Sequence, residues 1–158
     1  MLDVGADAPE FELESQDDET VSLADFEGER VLFYFFPEAM TPGCETQARR
    51  FRDLYEGFRD REVAVVGISP DPVDKLAEFA EKENLPFPLL SDVDAEVAEA
   101  YESHGERRLR GVLREMTLRN SYLIGPDGRI EATYESVMPY DHPPRVLDDV
   151  AELEGSST

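Results

Sequence analysis

The chain has 158 residues, 41% of them apolar, enough for one ordinary domain with a real core rather than a disordered acidic tail. Fifteen Lys plus Arg against 37 Asp plus Glu leave a net charge of −22, which repels nucleic acid and anionic membrane and argues against either as a partner. A single cysteine excludes an internal disulfide, a CxxC pair and a cysteine-rich metal site, and the two histidines, His104 and His142, stand in no metal-ligand spacing, so no metal or other cofactor is expected.

The first residues, MLDVGADAPEF, carry neither a basic stretch nor an apolar run, so no secretory leader is expected. The strongest apolar stretches, residues 31–36 and 63–68, are far shorter than a membrane span of roughly 20 residues. On both readings a cytoplasmic protein is expected.

Residues 7–13 alternate polar and apolar and are predicted to form an edge strand. A turn at 16–19 and a short strand at 20–23 complete an N-terminal hairpin. Residues 31–36 (VLFYFF) are continuously apolar, as in a strand buried on both faces. A helix is predicted from Pro42 to Phe58, with Ala48, Phe51, Leu54, Tyr55 and Phe58 spaced at threes and fours. A second buried strand follows at 63–68. Asp71 is expected to cap a helix that starts at Pro72, with Leu76, Phe79 and Ala80 on one face. A short strand at 87–90 precedes a helix at 93–101, for which Asp92 is the expected cap. Strands at 120–124 and 129–134 flank Gly125-Pro126-Asp127-Gly128, a hairpin signal. A last helix covers 143–153. Alternating strands and helices imply an α/β domain over residues 1–154 with a mixed central sheet flanked by helices, followed by a flexible tail at 155–158.

The segment that carries chemistry is Pro37-Glu38-Ala39-Met40-Thr41-Pro42-Gly43-Cys44. Thr41 suits the N-cap, and Pro42 falls at the first helical position, where a missing N–H costs nothing. Gly43 and Cys44 then occupy the first turn. Free backbone N–H groups and the helix dipole favour negative charge there, which suits a thiolate nucleophile. Thr41 could turn its hydroxyl toward that sulfur or a bound oxygen, Pro37 could shield the sulfur from water, and Met40 could line the loop. Taken alone, a free cysteine is more often a small buried hydrophobe; its place at a helix start, after Thr and Pro and a buried strand, shifts the balance toward chemistry.

These residues resemble a peroxiredoxin, and most closely its bacterioferritin-comigratory (Q-type) group. The family pattern Pro-x-x-x-Thr/Ser-x-x-Cys is met by Pro37, Thr41 and Cys44, with Thr-Pro-Gly-Cys intact. Phe35-Phe36-Pro37, Phe51-Arg52, Gly67-Ile68-Ser69-Pro70-Asp71 and Leu89-Leu90-Ser91-Asp92 also resemble the group, and the similarity runs from about residue 4 to about residue 150. The resemblance implies a thioredoxin-like fold with an N-terminal hairpin extension. It implies an antioxidant peroxidase for hydrogen peroxide and small organic hydroperoxides, with Cys44 as the nucleophile that becomes a sulfenic acid. Arg119, in Arg119-Asn120-Ser121-Tyr122, matches the family arginine that holds the thiolate and the peroxide oxygens. Its partners would be a peroxide substrate and an external thiol reductant, a thioredoxin-like protein or a small thiol, with the chain a monomer or a weak homodimer. The acidic composition, with Lys75 and Lys82 as the only lysines, resembles that of proteins from salt-loving microbes.

The chain departs from the pattern in three places. Where many relatives carry a resolving cysteine, five residues past the first, stands Arg49. The usual Glu three positions past the cysteine is Gln47, which could still support Arg119 by hydrogen bonding. A His common in the next helix corresponds to Leu76. A one-cysteine enzyme follows; a non-catalytic thioredoxin-like signalling or adaptor protein, and a structural role with an inert Cys44, are the alternatives. His104 and His142 are expected to be exposed, Arg107, Arg108, Arg110 and Arg114 to lie at the surface, and Phe35, Phe36 and Phe51 to be core.

A surface of charge −22 repels itself, and salt screens that repulsion. The melting temperature should therefore rise as potassium chloride is raised from low concentration to about the molar range. A melting temperature that is flat or falls over that range would show that self-repulsion does not limit stability.

Overall fold

The computed structural model describes residues 1–109 and 111–156, without the side chains of residues 107–109, 114 and 154–156. Its centre is a sheet built around β3 (Arg30–Phe35), which pairs in parallel with β4 (Val63–Ser69) on one side and antiparallel with β8 (Ser121–Ile124) on the other. β4 continues in parallel to β5 (Leu89–Ser91), and β8 antiparallel to β9 (Ile130–Tyr134). β1 (Glu12–Ser15) joins β5 antiparallel, and β2 (Thr20–Ser22) closes that edge, giving the order β2-β1-β5-β4-β3-β8-β9. The mixed sheet is the one expected from the sequence.

Alternation along β3 divides the core. Leu32, Tyr34 and, just past the strand, Phe36 face one cluster; Val31, Phe33 and Phe35 face the other. Helices α1 (Pro42–Asp60), α2 (Val73–Glu83) and α4 (His142–Ser156) cover the first face through residues such as Ala48, Phe51, Leu76, Phe79 and Val146. The short α3 (Glu96–Ala100) and the N-terminal arm cover the second, with Val97, Ala98 and Phe11. A strand buried on both faces can carry no polar alternation, which is why its sequence reads as unbroken apolar residues.

Several expectations need correction. The edge strand is β2, while residues 7–13 run mostly as an arm whose Asp7 makes an isolated bridge to Arg129. The second N-terminal strand ends at Ser22, and Leu23–Phe26 form a 3-10 turn. Asp71 does not cap α2: Pro72 is the capping residue, and the buried Asp71 carboxylate accepts hydrogen bonds from the Ala39 N–H (2.7 Å) and the Ser69 hydroxyl (2.9 Å). Asp92 does hold α3, accepting from the N–H groups of Val97 and Ala98, but the helix begins only at Glu96. A hairpin of β6 (His104–Leu109) and β7 (Val112–Thr117) fills a stretch for which the sequence suggested no element; its turn contains Gly111 at φ +80°. α4 runs to Ser156, past the start of the expected tail, and Ser157 and Thr158 lie outside the described residues.

Gly67 shows how tightly the β3–β4 centre is filled. A Cβ built there would lie 2.8 Å from Leu89 Cδ2 and 3.0 Å from both the Phe36 and Tyr34 rings. Gly67→Ala should therefore cost about 1–3 kcal/mol in denaturant unfolding, as other overpacked cores do. An unchanged unfolding free energy would mean that the aromatic layer yields freely.

Candidate active site

Cys44 lies in the first turn of α1 and is 2% exposed. The local reasons for that placement are those read from the sequence: Thr41 is the N-cap residue in extended conformation, Pro42 opens the helix, and the Glu45 N–H bonds to the Thr41 carbonyl at 2.8 Å. Cys44, Gln47, Ala48 and Phe51 share the buried face.

The loop before the helix is fastened from β4. Asp71 holds the Ala39 N–H, while Lys75 bridges Asp71 and Glu38 at 3.2 Å each. Met40 takes a left-handed backbone, φ +62°, and packs its side chain against the core cluster. Such a conformation in a non-glycine residue costs of order 1 kcal/mol and persists where the surroundings hold it. Pro37 follows β3, half-buried. Thr41 does not aim its hydroxyl at the sulfur as expected: it donates to the Glu38 carbonyl at 2.8 Å. The loop's own carbonyl lies within reach of that hydroxyl and takes its proton.

Arg119 comes just before β8, the strand paired with β3. Its Nη2 stands 3.5 Å from Cys44 Sγ, and its Nη1 donates to Gln47 Oε1 at 2.8 Å. Gly43 makes room for this approach, since a Cβ there would lie 3.1 Å from Arg119 Nη2. The arginine backbone is pinned in turn. Its carbonyl accepts from the Val137 N–H, and the next residue, Asn120, is buried, accepting from the Ser136 N–H and donating to Ser103 Oγ. The structure thus brings Cys44, Gly43, Gln47 and Arg119 together, while the Thr41 hydroxyl gives its proton to the Glu38 carbonyl. Of the other arginines, Arg110 lies outside the described residues, as do the side chains of Arg107, Arg108 and Arg114. Leu76, Phe36 and Phe51 are core on the Cys44 side, and Phe35 on the other.

His142 overturns its expectation. It is 3% exposed, with Nε2 2.8 Å from Ser121 Oγ and its ring edge-on to Tyr134 and Phe51. Asp-His-Pro reads as a loop or a helix end, and the residue does open α4, but it turns inward. His104, in β6, is half-buried beside Glu99. Sequence reasoning also passed over Asp71 as a clamp and Asn120 as a tether; a carboxylate two residues past Ser69 at a strand end was the only signal for the first.

Among the described residues no group of three or more His, Cys, Asp or Glu could hold a metal ion, and no helix is long and apolar enough to cross a membrane.

Comparisons with known proteins bear on the family and the fold. The model of the AhpC/TSA family matches residues 4–133. Peroxiredoxin Bcp of Escherichia coli K12 is 44% identical over 151 residues, covering 96% of this chain and 97% of that protein. The structure of a cysteine-to-serine mutant of Xylella fastidiosa PrxQ superposes with a TM-score of 0.91 at 26% identity, over 98% of each chain. The bacterioferritin comigratory protein of Xanthomonas campestris, solved in a study of its alkyl peroxide reduction, superposes at 0.85 with 25% identity over 90% of each chain. The sheet and its flanking helices are therefore thioredoxin-like.

Burial, with the charges of Arg145 and Arg119 adding to it, pushes the His142 imidazole down to about 3. The unfolded chain takes up that proton near 6.5 while the folded chain refuses it, so stability is lost as pH falls from about 6.5 toward 3. Between pH 7 and 5 this group alone should remove about 2 kcal/mol of unfolding free energy. His142→Gln, measured in denaturant at the same salt, should lose about that much less than the wild type over the same interval; parallel losses would mean that His142 protonates as freely folded as unfolded.

Proposed function

The chain belongs to the AhpC/TSA family and, within it, to the peroxiredoxins of the Bcp (PrxQ) group, which are thiol-dependent peroxidases, and on that premise we propose how this one works. Its substrates are hydrogen peroxide and small organic hydroperoxides; the alkyl peroxide reduction of the Xanthomonas campestris relative supports the second class. The observation that carries the reading is the 3.5 Å approach of Arg119 Nη2 to the buried sulfur of the single cysteine.

The Cys44 thiolate attacks one peroxide oxygen in line with the O–O bond and becomes a sulfenic acid, while the other oxygen leaves as water or an alcohol. Arg119 offers donors fixed in a fork, one already spent on Gln47 and one facing the sulfur, so it stabilises charge as it moves onto oxygen. Thr41, donating to the Glu38 carbonyl, keeps its own lone pairs free to accept the peroxide's O–H. The Cys44 N–H, in the first helical turn, supplies a further donor. Pro37 limits the approach of bulk water from the loop side. With no second cysteine in the chain, an external thiol, from a thioredoxin-like protein or a small molecule, returns Cys44 to the thiol. Residues 1–154 act as one domain, a monomer or weak homodimer, in antioxidant defence in the cytoplasm.

The test is the second-order rate constant for peroxide in single-turnover mixing. Cys44→Ser should abolish the reaction, and Arg119→Ala should lower the constant by about 10²- to 10³-fold, the usual loss of a donor that serves developing charge. Thr41→Val should fall short of the wild type by about tenfold or more. An Arg119→Ala variant as fast as the wild type would remove the arginine from the mechanism.

A further inference from the structure

Tyr34 lies on β3 in the same buried cluster as Cys44, its ring stacked on Phe51 at 4.6 Å and on Phe36 at 5.5 Å between centroids. It is 1% exposed, yet its hydroxyl has no hydrogen-bond partner among the described residues. The other large buried tyrosines are served: Tyr101 donates to the Pro9 carbonyl, Tyr122 to the Tyr101 carbonyl and Tyr134 to Asp149. A buried hydroxyl without an acceptor costs about 1–3 kcal/mol, and phenylalanine would stack as well without that cost. Burial first, then the charge of Cys44, push the phenol above its ordinary range, while Arg119 pulls it down. The hydroxyl thus keeps its proton and remains a donor.

Gln47 repeats the pattern on α1. It is fully buried, its Oε1 is taken by Arg119, and its Nε2 has no partner among the described residues. Two unused donors are therefore buried, one in the cluster that holds Cys44 and one on the residue that Arg119 bonds. An oxygen carried on the sulfur would supply the acceptor that both lack.

We propose that Tyr34 is a further catalytic residue, its hydroxyl donating a hydrogen bond to the oxygen that Cys44 takes from the peroxide, with Gln47 Nε2 as a second donor to that oxygen. This rests on the peroxidase reading above. In the step, the thiolate electron pair forms the S–O bond and the O–O bond breaks. The departing oxygen leaves with the pair of that bond and takes up a proton from water; the sulfur is oxidised and the peroxide reduced. Tyr34 gives up no proton. It acts as a fixed dipole toward charge on oxygen, worth most in a site closed to water.

The experiment compares wild type with Tyr34→Phe in two reactions of Cys44, single-turnover oxidation by hydrogen peroxide and alkylation by iodoacetamide, which delivers no oxygen to the sulfur. The melting temperature of Tyr34→Phe should equal or exceed that of the wild type, because an unpartnered hydroxyl has gone. Its peroxide rate constant should fall by about tenfold or more while its alkylation rate stays within about twofold. Equal peroxide rates, or equal losses in both reactions, would overturn the role of Tyr34 and leave the peroxidase reading standing. A wild type no faster with peroxide than a free thiol would overturn the peroxidase reading itself and this role with it.

Discussion

The contact between the Arg119 guanidinium and the Cys44 sulfur joins two residues 75 positions apart, and much of the local structure exists to let it form. The pairing of β3 with β8 brings the two chain segments to the same end of the sheet. Gly43 gives up its Cβ so that Nη2 can approach, and Gln47 orients the other arm of the fork. Asn120, buried and bonded on both sides of its amide, fixes the backbone from which the arginine extends. In a chain of charge −22, one of the fifteen Lys and Arg side chains is placed against the only cysteine.

The sulfur's side of the contact is held as firmly. Asp71 and Lys75 tie the loop before α1 to the start of α2, and the left-handed Met40 is the local cost of bringing Thr41 into capping position. Farther along α1, Arg49 makes a two-pronged ion pair with Glu83 at the end of α2, while Lys82 reaches back to Glu45. The position five residues past Cys44 is thus occupied by a clamp between two helices. On the mechanism proposed above, the oxidised sulfur stays in its pocket until a thiol comes from outside, because the chain offers it no second cysteine.

Much of this was legible in the sequence, for reasons that can be named. The apolar run of β3 and the Thr41-Pro42 start of α1 are local signals, set by burial and by the missing N–H of proline, and both elements lie where those signals place them. The motif also named Cys44, Gln47 and Arg119, which the fold brings together. What the sequence hid is tertiary. Asp71 looks like a helix cap by position, but a backbone N–H 32 residues away offers its carboxylate a buried partner. His142 sits among loop-forming residues and yet turns into the core, because Ser121 and two aromatic rings receive it. The β6–β7 hairpin, in a separate two-stranded sheet rich in arginine, shows no apolar alternation that would announce it. The open hydroxyl of Tyr34 is invisible in a run of aromatics, since nothing local distinguishes it from Phe33 or Phe35.

The most direct measurement of the central claim is to mix fully reduced protein with one equivalent of hydrogen peroxide at high salt, add a sulfenic acid trap at intervals, and follow the intact mass and the Cys44 peptide. The account predicts fast, stoichiometric trapping on Cys44 alone, with the trappable species lasting until a thiol is supplied. A sulfur in folded protein that reacts no faster than a free thiol, or that yields no trappable sulfenic acid, would contradict it.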